Sequence, residues 1–308
     1  MLLKTLTLTN IRAFNHAEIT FQPGMNLIVG INGVGKSTIL DGLRILLSQA
    51  LPKLSQSRSK AHQFQDSDIT VNQNSFYAKL MFEIATIDCM ASVSHNIVPS
   101  ATDPDSSELI FDRKFLLPMD PKVISGLKNS PRQPLALYFS TRRSLPDNTK
   151  SPKSSPGLAA AFKDSLTHRG LRLPEFADWF FAQNQLVLEN APNAQGHLNA
   201  LEIAVRLFME NCAYVRVQRN SSIHVDINSK TTRKFQATFL IEKSGIELDI
   251  RQLSDGERGI LALVLDLARR LSQANPNLDD PLQAQAVVLI DELDLHLHPQ
   301  WQRSIVSK

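Results

Sequence analysis

Residues Gly30-Ile-Asn-Gly-Val-Gly-Lys36-Ser37-Thr38 fit the spacing G-x-x-x-x-G-K-[ST], and that spacing works in one local setting only: a strand, a tight glycine-bearing loop and a helix. At ordinary residue frequencies the four fixed positions arise by chance in roughly one 300-residue chain in a hundred. The flanks supply the setting. Met25-Asn-Leu-Ile-Val29 reads as a buried strand entering the loop, and Ser37-Thr-Ile-Leu-Asp-Gly-Leu-Arg-Ile-Leu-Leu47 as an apolar helix leaving it. Backbone N–H groups of such a loop cradle phosphates, while Lys36 meets the β- and γ-phosphates of a nucleotide and the Ser37 hydroxyl meets Mg²⁺. Gly30, Asn32, Gly33, Gly35, Lys36, Ser37 and Thr38 are therefore the candidate nucleotide-binding residues.

Two later stretches extend the same site. Ala286-Val-Val-Leu-Ile290 is short, wholly apolar and β-branched, and it ends in Asp291-Glu292, as expected of a central parallel strand delivering charge at its edge. Asp291 is placed to hold Mg²⁺, and Glu292 to polarise an attacking water as the catalytic base. Capping of a turn is the bland alternative for the same pair. Leu253-Ser-Asp-Gly-Glu257 precedes an apolar helix, Ile260 to Leu271, and carries a capping box with Ser254 at the N-cap and Glu257 three residues on. A helix N-terminus with a small hydroxyl and a nearby glycine is also an anion site, so Ser254 and Gly256 are candidates to meet a γ-phosphate presented by another molecule.

The rest of the chain bounds the class. Its 308 residues, 43% of them hydrophobic, can bury one large core or two modest ones, and a net charge of +3 neither demands nor excludes nucleic acid. Cys89 and Cys212 stand far apart with no C-x-x-C, which argues against a zinc site or a disulfide framework. The N-terminus lacks the apolar core of a signal peptide and no run approaches a membrane span, so a soluble cytoplasmic protein with no membrane partner is expected.

Residues 2 to 9 and 16 to 21 predict a hairpin, 39 to 50 a helix stopped by Pro52, and 75 to 85 a strand. Pro99 to Pro134 reads as surface loop with short helices, Pro134 to Ser140 as a core strand, and Pro146 to Gly157 as poorly ordered. Glu175 to Phe181 and Leu198 to Cys212 have helical spacing, with their aromatic and leucine stripes assigned to core. Four short strands are expected between Ala213 and Ile250, with turns near Asn220, Asn228 and Gly245. No repeat or long heptad run is present. The expected domains are an N-terminal lobe over 1–98, an irregular and helical insertion over 99–212, and a C-terminal lobe over 213–308.

Together the phosphate loop, Leu253-Ser-Asp-Gly-Glu257 and the strand ending in Asp291-Glu292 resemble the ABC-type ATPases, in the SMC/RecF-like branch rather than the transporters. Leu8-Thr-Asn-Ile-Arg-Ala-Phe14 through Lys36 is similar to the start of that branch, and a long insertion separates phosphate loop from signature. Asp178-Trp179-Phe180, Gln252 to Gly259, Arg269-Arg270-Leu271 through Asn275-Pro276, and Leu289 to Trp301 narrow the likeness to the ATPase subunits of the Septu antiphage system and of Septu-like retron effectors. The resemblance implies an α/β P-loop ATPase head with a mixed central sheet, an N-terminal antiparallel sheet and a helical insertion, part of the cassette's C-terminal end being missing. It also implies ATP and Mg²⁺ as cofactors, a homodimer through ATP-sandwiched heads, an HNH-type nuclease partner, and DNA or retron RNA–DNA as nucleic acid.

Several positions depart from the family pattern or leave it open. Asp255 replaces the first glycine of the transporter-type signature, and no segment after Lys308 supplies the family's switch histidine. His296 and His298 match instead a loop that crosses a dimer interface, and their spacing makes them poor metal ligands. Gln63, Gln65 and Gln133 all remain candidates for the Mg²⁺-sensing glutamine, and Arg142 and Arg143 for phosphate or nucleic-acid contact. Two other readings stand beside the regulatory ATPase: an overcoming-lysogenization-type ATPase whose nuclease domain lies further on, and a RecF-like DNA-repair ATPase acting without a nuclease.

Overall fold

A computed structural model describes residues 1–57, 60–99, 109–130, 132–140, 158–167, 173–209, 211–225 and 231–292. The chain divides into two compact units, one made of Met1–Tyr138, Phe162–Thr167 and Gln285–Asp291, the other of the remaining residues.

In the first unit the expected hairpin forms from β1 (Leu2–Ile11) and β2 (Phe14–Thr20), paired antiparallel from Thr5↔Thr20 to Ile11↔Phe14. Helix α1 (Lys36–Leu54) follows the phosphate loop, then β3 (Ser75–Ile84), β4 (Ile87–Pro99), β5 (Leu109–Leu116), α2 (Pro121–Lys128) and β6 (Leu135–Phe139). The sheet order is β2-β1-β3-β4-β5, with antiparallel neighbours throughout. Alternation in β3 turns Phe76, Ala78, Leu80, Phe82 and Ile84 inward, and the register sets Leu6 opposite Leu80 and Leu8 opposite Ala78. Leu43, Leu46 and Leu47 of α1 complete this core, in which Leu6, Leu8, Leu46, Leu47, Leu80 and Phe82 are wholly buried. The helix can lie this close to β1 because residue 42 is glycine: a Cβ there would come within 3.1 Å of Leu8 Cδ2.

Strand β6 is buried along its whole length and pairs with β10 (Ala286–Ile290) in a separate two-stranded sheet. Val287 and Leu289 join the core beneath α1, whereas Ala286, Val288 and Ile290 are only half buried. Membership of a two-stranded sheet differs from the central parallel strand expected of 286–290.

Residues 25–29, expected as a buried strand, form no strand. Phe21 still hydrogen-bonds Lys4 O at 2.8 Å, but beyond it Asn26 turns the chain, its side chain bonding Gln22 N, Gln22 O and Gly24 O. Met25, Leu27 and Val29 are 60%, 67% and 80% exposed, and only Ile28 leans on the core. Their β-propensity finds no ladder partner among the described residues, and a lone extended segment has no inter-strand hydrogen bonds to hold it.

Two further expectations change. Helix α1 runs through Pro52 to Leu54, since a proline in the last turn costs a single i→i−4 bond while Leu51 and Leu54 are buried. Part of the region assigned to loop is strand: β5 pairs with β4 from Ser92↔Leu116 to Pro99↔Leu109. The free thiols Cys89 and Cys212 are both buried, and burial pushes Cys89 up to about 11.

The second unit carries the helices α3 (Leu158–Phe162, whose last residue belongs to the first unit), α4 (Leu173–Leu188) and α5 (Ala194–Phe208). They are followed by β7 (Cys212–Val225), β8 (Thr231–Lys243), β9 (Ile246–Asp249) and α6 (Asp255–Ala274). Here three strands replace the four expected. Strand β7 passes through Asn220, which pairs with Gln236 of β8, and the turn that does form is at Gly245. The turn expected at Asn228, the segment 146–157, Arg142, Arg143, His296 and His298 lie outside the described residues.

Buried polar groups tie α4, α5 and α6 together. His197 Nε2 donates to Leu278 O at 2.9 Å, which leaves Nδ1 to accept from Ser272 Oγ at 2.6 Å, and Trp179 Nε1 donates to the same Ser272 Oγ at 3.3 Å. Within α6, buried Asp266 accepts from Arg269 at 2.7 Å and from Arg270 at 2.8 Å. No helix among the described residues is long and apolar enough to cross a membrane.

Candidate nucleotide site

The start of α1 carries neither a side-chain cap nor an acidic residue, and its N-cap is Gly35, with φ 103°. The free N–H groups of Lys36, Ser37 and Thr38 and the positive end of the helix dipole are thus left for an outside partner. Ser37 is exposed and Thr38 is buried, so of the two hydroxyls the Ser37 one is open to a ligand.

Lys36 folds back over the loop, its Nζ donating to Gly30 O at 2.6 Å and Ile31 O at 2.9 Å. That ammonium holds the loop closed through two carbonyls, weaker acceptors than a phosphate, so an arriving polyphosphate can take it over.

Two residues that no local sequence signal marks as part of the site support it. A Cβ on Gly35 would meet Phe14 Cζ at 2.6 Å, so the Phe14 ring occupies the space an alanine would need. Arg12 reaches from the same hairpin tip to Asp41 of α1 and to Asp68, at 2.8 Å each, and Arg44 shares Asp41 at 2.9 Å. The hairpin therefore braces both the loop and the helix behind it. Twenty residues of chain separate Phe14 from Gly35, and only the β1–β2 turn brings them together.

Asp291 follows β10, which packs against α1, so the second motif shares a core with the first. Glu292 is exposed, with φ 46°. A non-glycine residue in the left-handed region is uncommon and marks a sharp change of direction after the strand. Among the described residues no group of three or more His, Cys, Asp or Glu side chains could hold a metal ion. Mg²⁺ held mainly by nucleotide phosphates needs only one or two protein oxygens, which Ser37 and Asp291 can supply.

At the signature motif the capping box forms as expected. Ser254 Oγ accepts from Glu257 N at 3.3 Å, while Ser254 N and Oγ donate to Glu257 Oε2 at 3.0 and 2.8 Å. Ser254 is exposed and Gly256 half buried. The carboxylate of Asp255 is paired with Arg258, which offsets the charge this residue brings to the motif. Burial raises the Glu257 carboxyl, but bonds from Lys243 and Ser254 outweigh it and hold the group below its ordinary value.

Of the three glutamines, Gln133 is buried and spent on structure, accepting from Gln56 N at 2.9 Å and donating to Lys128 O and Ser130 O at 3.1 and 2.5 Å. Gln63 and Gln65 are exposed beside the short helical turn Asp66–Asp68.

An α/β core that presents an uncapped helix start behind a Gly-Lys-Ser loop, beside an apolar strand ending in Asp-Glu, defines a P-loop ATPase head. The family comparison agrees. The chain belongs to the family described as "AAA domain, putative AbiEii toxin, Type IV TA system", whose model matches residues 91–307; a second AAA-domain model matches residues 5–114. Among curated proteins it is 25% identical to "Retron Vc95 probable ATPase" of Vibrio cholerae and 25% identical to "Retron Ec83 probable ATPase" of Escherichia coli, over 99% and 98% of this chain and 67% and 64% of theirs. It is 24% identical to "Septu protein PtuA" of Bacillus thuringiensis, over 99% of this chain and 67% of that protein. The likeness to Septu and retron ATPases is thus borne out, and the chain spans about two thirds of the length of these relatives.

Proposed function

We propose that this chain is the ATP-binding and ATP-hydrolysing part of a regulatory ATPase that controls a partner nuclease in a bacterial antiphage defence complex of the Septu or retron type. The observation that carries the ATP-binding half is the uncapped, acid-free start of α1 with Lys36 poised over the loop. The defence assignment rests on the relatives, two named for retrons and one for Septu.

In this reading the N–H groups of the loop and of α1's first turn bind the phosphates, and Lys36 leaves the two carbonyls to neutralise the β/γ pair. Ser37 and Asp291 would hold Mg²⁺, which when bound supplies charge neutralisation and orients the terminal phosphate. Glu292 accepts the proton of the attacking water. Ser254 and Gly256 face the γ-phosphate bound by a second copy, so ATP favours a head-to-head dimer. A nuclease partner of HNH type, with DNA or retron RNA–DNA as its nucleic acid, responds to that dimer because it binds the two states differently.

The test has two arms. Lys36→Ala should lose ATP affinity by calorimetry, while Glu292→Gln should keep ATP bound and lose turnover; equal affinity in wild type and Lys36→Ala refutes the site. Affinity capture of the full-length protein from its host should recover a small HNH-type protein. Recovery of the ATPase alone, with DNA cleavage by the purified protein itself, would overturn the regulatory role in favour of a single-chain nuclease.

A further inference from the structure

Ser254 has one hydroxyl proton, and in this structure it is directed at Glu257 Oε2, 2.8 Å away, as is the Ser254 backbone N–H at 3.0 Å. The other oxygen of that carboxylate, Oε1, is bound by Lys243 Nζ. The two side chains are 31% and 16% exposed, so their charges are only partly screened by water. Lys243 does not belong to the signature motif. It is the last residue of β8, paired with Cys212 of β7 and with Ile246 of β9 across the Ser244-Gly245 turn. The three-stranded sheet thus sends one cation to the one carboxylate that holds the signature serine.

A bare carboxylate beside Ser254 would oppose the approach of a phosphate by repelling the anion. Resting on the reading above, that Ser254 faces a partner's γ-phosphate, we propose that Lys243 is a positioning residue of the signature motif. It neutralises Glu257, so that the carboxylate can cap α6 and orient Ser254 without repelling the incoming phosphate. Asp255, the other acid of the turn, is already matched by Arg258, which leaves Glu257 and Lys243 as the pair whose balance sets the local charge. A lysine that merely tied β8 to α6 would matter for folding alone. A lysine acting through charge matters for association only while Glu257 is ionised.

The test uses the full-length protein with Mg²⁺ and a non-hydrolysable ATP analogue, following nucleotide affinity by calorimetry and self-association by sedimentation. Lys243→Met should leave nucleotide affinity within about twofold of wild type, since it does not touch the phosphate loop, and weaken nucleotide-dependent association on the order of tenfold to a hundredfold, the range of one uncompensated charge a few ångströms from another in partly screened surroundings. Lys243→Arg should retain association. Glu257→Gln keeps a capping-box residue without the charge, so Lys243→Met combined with Glu257→Gln should recover association. If Ser254→Arg abolishes association while Lys243→Met leaves it unchanged, or if the double variant associates no better than Lys243→Met, the role of Lys243 is overturned and the dimer reading stands. If the wild type shows no nucleotide-dependent association, or Ser254→Arg leaves it intact, the dimer reading fails and the role of Lys243 falls with it.

Discussion

Replacing Gly35 with alanine isolates how tightly the phosphate loop is specified. Two costs add. The backbone at residue 35 has φ 103° and ψ 11°, where an L-residue is disfavoured by about 1–2 kcal/mol. The new methyl would sit 2.6 Å from Phe14 Cζ and 2.7 Å from Cε2, so the ring must be displaced, an overpacking cost of about 1–3 kcal/mol. Their sum, about 2–5 kcal/mol, falls on the loop conformation proposed to bind phosphate. At 1.4 kcal/mol per factor of ten, ATP affinity should drop about thirtyfold to a few thousandfold. Calorimetric titration of ATP into wild type, Gly35→Ala and the double variant Gly35→Ala/Phe14→Ala separates the contributions. Removing the ring makes room for the methyl, so the double variant should recover the steric part and keep the conformational one. ATP affinity of Gly35→Ala within threefold of wild type, or a double variant no tighter than the single, would refute the assignment of Phe14 as the wall behind the loop.

Asp266→Ala removes the carboxylate that the buried guanidinium groups of Arg269 and Arg270 share, and should lower unfolding stability by about 3–5 kcal/mol in chemical denaturation; a loss under 1 kcal/mol would show that their remaining hydrogen bonds, to Gln273 and to Ala161 O, suffice. His197 is held below its ordinary pKa, chiefly by burial, with the bond to Leu278 O acting the other way. Its folded value thus lies below its unfolded one, so its contribution to stability is present above the unfolded pKa of about 6.5 and is lost as pH falls through the folded value. Melting temperature should accordingly fall more between pH 7 and pH 5 for wild type than for His197→Gln, and parallel curves would exclude His197 as the titrating group.

What was legible in the sequence is what short-range physics decides. The capping box at Ser254 and Glu257 closes over three residues, the hairpin of β1 and β2 over a two-residue turn, and the glycine–lysine loop over the residues that name it. Burial stripes also read correctly where one core receives them, as with Phe176, Ala177 and Trp179 of α4. Propensity and motif were enough for these because each is satisfied by its own neighbours.

The tertiary structure decided whatever needs a distant partner. Met25, Leu27 and Val29 have the composition of a buried strand and stay exposed, because a strand is defined by the ladder beside it, and none adjoins them among the described residues. Leu51 and Leu54 carry α1 past Pro52 because the core beneath them is worth more than one lost hydrogen bond. Asn220 continues β7 instead of turning it because Gln236 lies opposite. The same holds at the candidate site. The sequence alone nominated the residues proposed to meet phosphate, metal and water, since those are properties of side chains and of local backbone. Only the fold set Phe14 against Gly35, Arg12 between Asp41 and Asp68, and Lys243 on Glu257, because contacts between residues far apart in the chain depend on strand register and helix packing, which no local pattern encodes.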